Sequence, residues 1–424
     1  MMNSTIKVFI AILSLLVVGY AAMAMFYGQV VAVDGDAYRQ IAVFVDVLKK
    51  ISDDYVEAPN MQKVMNGAMR GLVESLDPYG GYFSKDRLLD LDRKREQQKG
   101  DVGLVLSKKP ELVYVISVLD QSPAKKAGVR AGDFIISVDK NSTYSQHLCE
   151  VEGELRGMPG TETVIEVLRG SQAEPLEIKI RREEIRFPEF SQKILEDNVG
   201  YIMIPYLHQS AAEECKTKLK MLQAAGAGKL ILDLRSTAGG DMKQALIISN
   251  FFIQEGLLGY TQGKAKGRRD LMADSALFLS DIPLVVMINN FTSGAAELIA
   301  GAIKDSKRGK VVGEKSFGQG SIQERIDMKD GSILILTTEL YYTPSGKAIQ
   351  AESGKQGGGI LPEITAPDEK VKADLILKNY LHNRDENSDR SYQLLLEEVE
   401  GLQLRKALEV IRTPKPSEAL QKAA

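Results

Sequence analysis

Several residue types that particular classes of protein require are scarce in this sequence of 424 residues. It has no tryptophan and two cysteines, Cys149 and Cys215, which fall in different parts of the chain. A disulfide framework or a cysteine zinc site needs more cysteines at closer spacing, so both thiols are predicted to pack as small apolar groups. The three histidines, His147, His208 and His382, are scattered and do not predict a Ser-His-Asp triad. Neither a metal site nor a cofactor is therefore expected.

An excess of charge of one sign is also missing. The chain has 54 lysines and arginines against 57 aspartates and glutamates, which gives a formal net charge of −3. Domains that bind nucleic acid usually carry a basic stripe or basic residues interleaved with aromatic ones, and this sequence has neither pattern. No nucleic-acid partner is therefore expected.

A long hydrophobic run occurs near the N-terminus. Lys7 precedes an uncharged stretch over residues 8–27, and aspartates follow it. About 20 apolar residues span a bilayer, and this order of charges predicts a cytoplasmic N-terminus and export of the remainder. An uncleaved signal anchor over residues 1–30 is favoured because the run is longer than an ordinary signal-peptide core. A signal peptide cleaved after Ala-Met-Ala at residues 22–24 is the alternative.

Residues 35–95 have the pattern of an N-terminal helical domain. Apolar side chains between Ile41 and Ile51 recur every three or four residues, which is typical of an amphipathic helix. A second helix is predicted over residues 61–76. The segment over residues 75–83 contains a proline and paired glycines, which should end that helix.

Residues 98–184 read as a small β-rich module. Short alternating strands are separated by glycine and proline turns, for example at residues 122–128 and 155–161. The order and spacing of these segments resemble a PDZ domain. Such domains bind an extended peptide as an added strand, and a loop of backbone N–H groups captures its terminal carboxylate.

The PDZ resemblance implies a peptide-binding loop and a class of partner. The loop would comprise Gly103, Leu104, Val105 and Leu106. The partners would be protein C-termini or unfolded polypeptide. A β-module whose groove is blocked is the alternative.

Residues 186–365 predict an α/β core. Continuous apolar runs over residues 229–235 and 282–289 are typical of buried parallel strands, and a helical pattern follows each of them. Strand–turn–helix repeats of this kind predict a mainly parallel sheet covered by helices. The charged tail over residues 366–424 contains one amphipathic helix, predicted over residues 392–411. The expected fold class is therefore α/β and β-rich multidomain.

Two segments of the α/β core carry the functional signal. Residues 290–297 read Asn-Phe-Thr-Ser-Gly-Ala-Ala-Glu, and residues 313–323 read Gly-Glu-Lys-Ser-Phe-Gly-Gln-Gly-Ser-Ile-Gln. Together they resemble the active-site region of the carboxyl-terminal processing proteases, which are Ser–Lys serine peptidases with a PDZ domain. The resemblance extends from about residue 38 to residue 365 and implies a crotonase-like α/β fold for the core.

The resemblance puts unexpected residues at the two essential positions. In the family the nucleophilic Ser lies three residues before a Glu and eleven before an Asp, and Glu297 and Asp305 match these two. This register puts Gly294 at the nucleophile position. The general-base Lys, twenty-five residues after the Ser, corresponds to Gln319. Gln323 matches a family Gln that helps to orient the Lys.

The oxyanion hole is implied by the same resemblance. Gly239, Gly240 and the N–H of Gly294 match the family's oxyanion-hole positions. The Asn-Pro that precedes the two glycines in the family is Thr237-Ala238 here. Because Pro fixes φ and restrains the preceding residue, its loss is expected to loosen this loop.

Ser293 is the candidate for a shifted nucleophile. If its segment is helical, one step along the chain rotates a side chain by about 100° and shifts it by about 1.5 Å. Misplacement by about 1 Å can cost on the order of 100-fold in rate, and an amide such as Gln319 does not accept a proton at neutral pH. Lys304, Lys307 and Lys315 are nearby in the sequence, and Lys315 is interpreted as surface charge.

The favoured hypothesis is an exported member of this family that binds unstructured protein C-termini without proteolysis. An active serine endopeptidase that uses Ser293 and a structural envelope protein without peptide binding are the alternatives. In the family, N-terminal helices of this kind often help to form dimers. The resemblance therefore adds a homodimer or an active paralogue to the expected partners. The expected location is the bacterial cell envelope, on the periplasmic or extracytoplasmic side, with the N-terminal segment anchored in the inner membrane.

Overall fold

The structure, a computed structural model, describes residues 35–97, 99–109, 112–144, 146–170, 174–351, 357–367 and 388–413. The chain divides into two compact units, Met1–Met69 and Arg70–Ala424. The predicted signal anchor over residues 1–30 lies outside the described residues. Within the described ranges, no helix combines the length and the apolar character that a membrane span requires.

The regular elements of these ranges are numbered here in chain order. The helices are α1 (Gly35–Asp54), α2 (Met61–Glu74), α3 (Lys85–Gln97), α4 (Pro123–Lys126), α5 (Leu148–Leu155), α6 (Ala211–Ala224), α7 (Met242–Asn250), α8 (Ala295–Asp305) and α9 (Ser388–Arg412). The strands are β1 (Gly81–Phe83), β2 (Leu104–Lys109), β3 (Leu112–Val118), β4 (Phe134–Val138), β5 (Asn141–Ser142), β6 (Glu162–Leu168), β7 (Leu176–Arg181), β8 (Ser191–Leu195), β9 (Val199–Met203), β10 (Lys229–Asp233), β11 (Leu257–Gly263), β12 (Gly267–Met272), β13 (Leu284–Ile288), β14 (Lys310–Gly313), β15 (Ser321–Asp327), β16 (Ile333–Tyr342) and β17 (Ile364–Thr365).

The first unit contains α1 and the beginning of α2. The apolar residues of α1 follow the helical repeat, as the sequence pattern predicts. Tyr38, Ile41 and Val45 nevertheless have exposed fractions of 53%, 58% and 55%. The helix therefore carries an exposed apolar stripe.

An antiparallel sheet forms the PDZ-like part of the second unit. Its strand order is β2-β3-β4-β6-β7, and β5 pairs with β4. Strand β6 alternates buried and partly exposed residues, which is the pattern of a sheet with one buried face. Strand β2 lies at the edge and, among the described strands, pairs with β3 alone. The other side of β2 has no strand partner among the described residues, but Leu106, Ser107 and Lys108 are buried, so only the start of the strand is partly exposed.

A second sheet of six strands forms the peptidase-like core. Its order is β17-β14-β13-β10-β9-β8, and all neighbours are parallel except β8 and β9. All five residues of β13 are buried. Alternate residues of its strands pack against α6, α7 and α8 on one face and against α9 on the other. Burial on both faces explains the continuous apolar runs in the sequence.

A third, antiparallel sheet joins β1, β16, β11 and β12, with β15 paired to β16. The sequence patterns above do not predict this sheet. The mixed α/β architecture itself is confirmed, with N-terminal helices, a PDZ-like module, an α/β core and a C-terminal helix.

Candidate active site

Three loops meet where the parallel strands of the core end. They follow β10, β13 and β14, which are neighbours in the sheet. In open α/β sheets the carboxyl ends of the strands form the usual place for a functional site. The loop after β10 carries Gly239 and Gly240, the loop after β13 carries Gly294, and the loop after β14 carries Gln319.

The loop after β10 is tied down by hydrogen bonds. The Ser236 N–H donates to Asn289 Oδ1 at 2.8 Å, and the Ser293 N–H donates to the Thr237 carbonyl at 2.9 Å. The Thr237 hydroxyl also donates to the carbonyl of Ile204. These contacts restrain the loop at Ser236 and Thr237, and the expectation that Thr237-Ala238 loosens it stays a prediction.

The two glycines of this loop are required by its backbone. Gly239 and Gly240 have φ angles of 68° and 89°, in the region that favours glycine. A Cβ added to Gly240 would lie 2.6 Å from Leu207 Cβ, so no larger residue fits. A Cβ added to Gly294 would lie 3.4 Å from Gly239 Cα. The structure thus brings the predicted oxyanion loop next to the predicted nucleophile position.

Gly294 keeps a backbone conformation that is unusual for any residue with a side chain. Its φ and ψ are 65° and −120°, where a non-glycine residue costs about 1–3 kcal/mol. A Cβ there would meet its neighbours only at ordinary van der Waals distances. Position 294 therefore has room for a side chain, but its backbone conformation makes any residue other than glycine unfavourable.

The N–H of Gly294 is not directed at a possible oxyanion. It donates to Glu297 Oε2 at 2.9 Å. The next N–H, that of Ala295 at the first residue of α8, has no acceptor among the described residues. Ala295 is therefore the better candidate for an oxyanion donor on this side, beside the N–H groups of Gly239 and Gly240. Sequence reasoning missed it because the hydrogen bond to Glu297 depends on the fold.

Ser293 reaches the side chain at the predicted base position. Its hydroxyl donates to Gln319 Oε1 at 2.8 Å, and Ser293 itself is completely buried. The helical rotation assumed from the sequence does not apply, because α8 begins only at Ala295 and the positive φ of Gly294 redirects the chain. The two residues that the sequence singled out as substitutes for a dyad are thus hydrogen-bonded to each other.

Glu297 holds the loops after β13 and β14 together. Its carboxylate accepts the N–H of Gly294 at 2.9 Å, of Gly318 at 2.7 Å and of Gln319 at 2.8 Å. The Ser316 hydroxyl is a fourth donor. Burial raises the pKa of Glu297 to about 7, although these four hydrogen bonds favour the ionised form and oppose the shift.

Two further residues of the predicted site lie apart from this cluster. Asp305 ends α8, about 15 Å along the helix from its start, and its carboxylate accepts the N–H of Ser345 at 3.0 Å. Gln323 is exposed, and its amide donates to Ser321 and Thr337 instead of contacting Gln319. The structure therefore gives Asp305 and Gln323 contacts of their own, away from Gly294 and Gln319.

The lysine that approaches the loop after β14 comes from the PDZ-like module. Lys109, at the end of β2, lies 4.0 Å from the ring centroid of Tyr114 and 4.6 Å from that of Phe317. Burial lowers the pKa of its ammonium group. Lys315 is exposed and donates to the Gly357 carbonyl, in agreement with its interpretation as surface charge. Sequence reasoning missed Lys109 because the contact joins two distant parts of the chain.

Strands β2 and β3 lie against the candidate site. A Cβ on Gly239 would stand 3.3 Å from Val105 Cγ1. The Ser117 hydroxyl donates to the Ser236 carbonyl at 3.0 Å, and the Tyr114 and Phe317 rings stack at 5.7 Å. The predicted peptide-binding strand is therefore in direct contact with the predicted oxyanion loop.

The start of the predicted peptide-binding loop has a defined geometry. Gly103 has a φ of 81°, and its N–H donates to Asp101 Oδ1 at 3.2 Å. Leu104 and Leu106 pack in or against the core of the PDZ-like module, whereas Val105 faces the peptidase-like core. The loop thus has an apolar wall, and its first N–H is already engaged.

The C-terminal helix contributes to the support of the site. Arg235 forms a buried ion pair with Asp233 at 2.6 Å, and Tyr201 donates to the same carboxylate. Arg235 also donates to the Glu400 carbonyl and to Gln403 Oε1 in α9. Because Arg235 directly precedes the glycine-containing loop, α9 helps to hold the start of that loop.

The described residues contain no group of His, Cys, Asp and Glu side chains that could hold a metal ion. Cys149 and Cys215 are free thiols. The chemistry available at the site is therefore that of hydroxyl, amide, carboxylate and backbone groups.

Comparison with known proteins identifies the family. Residues 198–366 match peptidase family S41, and residues 114–182 match the PDZ domain family. The chain is 33% identical over 337 residues to the carboxy-terminal-processing protease of Bartonella bacilliformis, which covers 78% of this chain and 75% of that protein. The chain belongs to the carboxy-terminal processing protease family. The resemblance seen in the sequence is confirmed.

Other members of the carboxy-terminal processing protease family agree with this assignment. A probable CtpA-like serine protease of Staphylococcus aureus is 30% identical over 337 residues, which covers 79% of this chain and 66% of that protein. The solved structure of a photosystem II D1 C-terminal processing protease matches with a TM-score of 0.63 and 24% identity, over 76% of this chain and 92% of that one. At 24% identity, the match to the solved structure supports the fold alone.

The raised pKa of Glu297 predicts a pH dependence of stability. Between the unfolded pKa of about 4.3 and the folded pKa of about 7, Glu297 is protonated in the folded state and ionised in the unfolded state. The stabilisation is complete below this window and is lost as the pH rises through it. Urea titrations of the full chain should show the free energy of unfolding falling by up to about 3 kcal/mol between pH 4.5 and 7.

The control variants are Glu297→Gln and Glu213→Gln. The first should unfold more easily at every pH, because its NH2 group faces backbone donors, and should lose the pH dependence in this window. Glu213 pairs with Lys216 at the surface, so its variant should keep the wild-type profile. Parallel pH profiles for Glu297→Gln and the wild type would refute the assignment of this pH dependence to Glu297.

Proposed function

We propose that this chain is a non-proteolytic member of the carboxy-terminal processing protease family that binds unstructured protein C-termini. The single observation that carries the proposal is the hydrogen bond from the Ser293 hydroxyl to the Gln319 amide beside a glycine at position 294. In the register of the family, these positions lack both the nucleophile and the base.

The chemistry of a Ser–Lys peptidase supports this proposal. A hydroxyl becomes a useful nucleophile only when an adjacent base removes its proton, and a lysine with a lowered pKa serves as that base. The oxygen of Gln319 accepts a hydrogen bond but does not take up a proton at neutral pH. Glu297 holds the backbone around the site, but the serine and lysine of a Ser–Lys peptidase are missing from the two positions that the register assigns to them.

An active endopeptidase that uses Ser293 is the second candidate. The position of Ser293 favours it, because the only side-chain contact of its hydroxyl among the described residues is with the side chain at the predicted base position, at 2.8 Å. The complete burial of Ser293 opposes it, since a substrate carbonyl has to reach the hydroxyl. Variants at positions 293, 294 and 319 separate the two candidates.

The test compares hydrolysis of fluorescein-labelled casein by the full chain and four variants in detergent, one of which is Ser293→Ala alone. Wild type and Gln319→Lys should not cleave, whereas Gly294→Ser/Gln319→Lys should. The serine at position 294 costs about 1–3 kcal/mol in backbone strain, so circular dichroism has to show that this variant is folded. Ser293→Ala in the double variant should leave its cleavage intact.

One result would contradict the proposal of a non-proteolytic chain, and a second would contradict the register that places the nucleophile at position 294. Cleavage by the wild type that Ser293→Ala abolishes would make Ser293 the nucleophile of an active enzyme. Cleavage by Gln319→Lys alone would show that Ser293 and an amine at position 319 suffice, which would favour a shifted dyad.

Binding of C-termini is tested separately from cleavage. The start of edge strand β2 supports the proposal, because Leu104 and Val105 are partly exposed and a carboxylate bound there would lie near Gly103. A peptide with a free carboxylate should bind the full chain, and its amidated counterpart should bind at least tenfold more weakly. Equal binding of the two forms would refute recognition of the C-terminus, and no binding of either would favour a structural envelope protein without peptide binding.

Self-association through α1 is a further part of the proposal. Tyr38, Ile41 and Val45 form an exposed apolar stripe on this helix, and such a stripe is typical of a helix that packs against another. Sedimentation of the full chain in detergent should give a dimer, and Ile41→Asp/Val45→Asp should give a monomer. Lys49→Glu, on the same helix, should leave the dimer unchanged. A monomeric wild type would refute self-association.

A further inference from the structure

The two cysteines of the chain have different surroundings. Cys215 is completely buried in the hydrophobic core of the peptidase-like part, and burial raises the pKa of its thiol to about 12. Cys149 is only partly buried and is the second residue of α5. Because a cysteine reacts as its thiolate and needs access to the reagent, Cys149 is the thiol that a dissolved reagent can modify.

A histidine side chain contacts the Cys149 thiol. His147 Nδ1 lies 3.1 Å from Cys149 Sγ and accepts the Cys149 N–H at 3.2 Å. The other ring nitrogen, Nε2, lies 2.8 Å from the carbonyl oxygen of Tyr79. A carbonyl oxygen only accepts hydrogen bonds, so Nε2 carries the ring proton and Nδ1 has the free lone pair. The segment before β1 therefore fixes the tautomer in which the ring can take a proton from the thiol.

Acidic groups on two helices favour a positive charge on this ring. Glu150, which follows Cys149 in α5, accepts the His147 N–H at 2.8 Å and pairs with Arg87 of α3. Glu74 of α2 also acts on the ring through its charge. Burial lowers the pKa of His147, and both carboxylates oppose this shift. The ring is therefore neutral at pH 7 before the reaction, and the carboxylates stabilise its protonated form when a proton arrives.

Other features of the same place favour a negative charge on the sulfur. Cys149 lies in the first turn of α5, where the helix dipole stabilises anions. Lys108 of β2 acts on the neighbouring His147 through its charge, and its ammonium group donates to the Gln146 carbonyl at 2.9 Å. Reactive cysteines in proteins typically lie beside a histidine or a lysine or at the start of a helix. The surroundings of Cys149 are thus those of a nucleophilic thiol.

We infer that Cys149 and His147 form a reactive thiol–imidazole pair, and that Cys149 is a site of oxidation by hydrogen peroxide. In this reaction the thiol proton passes to His147 Nδ1, and the sulfur attacks one oxygen of the peroxide. The O–O bond breaks, the sulfur is oxidised to a sulfenic acid, and the leaving hydroxide takes the proton from Nδ1 to form water. Both residues belong to the PDZ-like module, so the inference is independent of the function proposed for Gly294 and Gln319.

The test measures thiol reactivity in the reduced full chain in detergent. Iodoacetamide at pH 7, followed by peptide mass spectrometry, should alkylate Cys149 about tenfold faster than glutathione in the same solution, because an ordinary thiol is only a few per cent ionised at this pH. Cys215 should stay unmodified until urea unfolds the protein. Hydrogen peroxide in the presence of dimedone should give a dimedone adduct at Cys149, which reports the sulfenic acid.

Variants of the protein test the part played by the histidine. His147→Asn keeps an acceptor suited to the start of a helix but has no group that takes up a proton. It should slow the alkylation of Cys149 about tenfold and reduce the dimedone adduct, with an unchanged circular dichroism spectrum. His208→Asn is the matched control, because His208 pairs with Glu214 in the peptidase-like core, and its Cys149 should react as in the wild type.

The comparison of Cys149 with glutathione uses the wild-type chain, so it decides the inference even if the His147 variant does not fold. Alkylation of Cys149 no faster than that of glutathione would overturn the reactive pair. Equal rates in the wild type and in folded His147→Asn would overturn it as well, because the imidazole would then not activate the thiol. Rapid alkylation of Cys149 without a dimedone adduct after peroxide treatment would overturn oxidation at this site.

Discussion

The carboxylate of Glu297 is the interaction on which the candidate site depends. It is completely buried, and it gathers backbone N–H groups from the loops after β13 and β14. Its partners at Gly294 and Gln319 are main-chain atoms. A substitution at either position would therefore not remove a hydrogen bond to Glu297. Under the proposed register, a peptidase-like site would keep its shape with glycine at the nucleophile position and glutamine at the base position.

Much of the fold was predictable from local sequence patterns. The core strands bury both faces, so their apolar runs stand out, and the strand predicted over residues 229–235 corresponds to Lys229–Asp233. The antiparallel sheet of β1, β11, β12, β15 and β16 was not predicted. None of its longer strands shows a clean alternation in both halves: β11 is mostly buried, β12 mostly exposed and β16 mostly half-buried. Strand β1 pairs with β16, about 250 residues further along the chain. Pairing between such distant segments leaves no local signal.

The site was predictable in part, for a similar reason. The motif spacing brings Gly239, Gly294 and Gln319 into one region, as expected from the resemblance. The contact between Ser293 and Gln319 was missed because a helix was assumed through a residue whose positive φ interrupts it. The approach of Lys109 to Phe317 was missed because it depends on how the PDZ-like module lies on the core.

Arg235 connects the site to the end of the chain. Its guanidinium is shared between Asp233, at the end of β10, and two acceptors in α9. Arg235 precedes Gln403 by 168 residues in the sequence, so the ribosome adds it much earlier. On the ribosome, the charged side chain next to the glycine-containing loop therefore has to wait for α9. Until then the Arg235 guanidinium has Asp233 but not its two acceptors in α9, so the start of the loop is held from one side only.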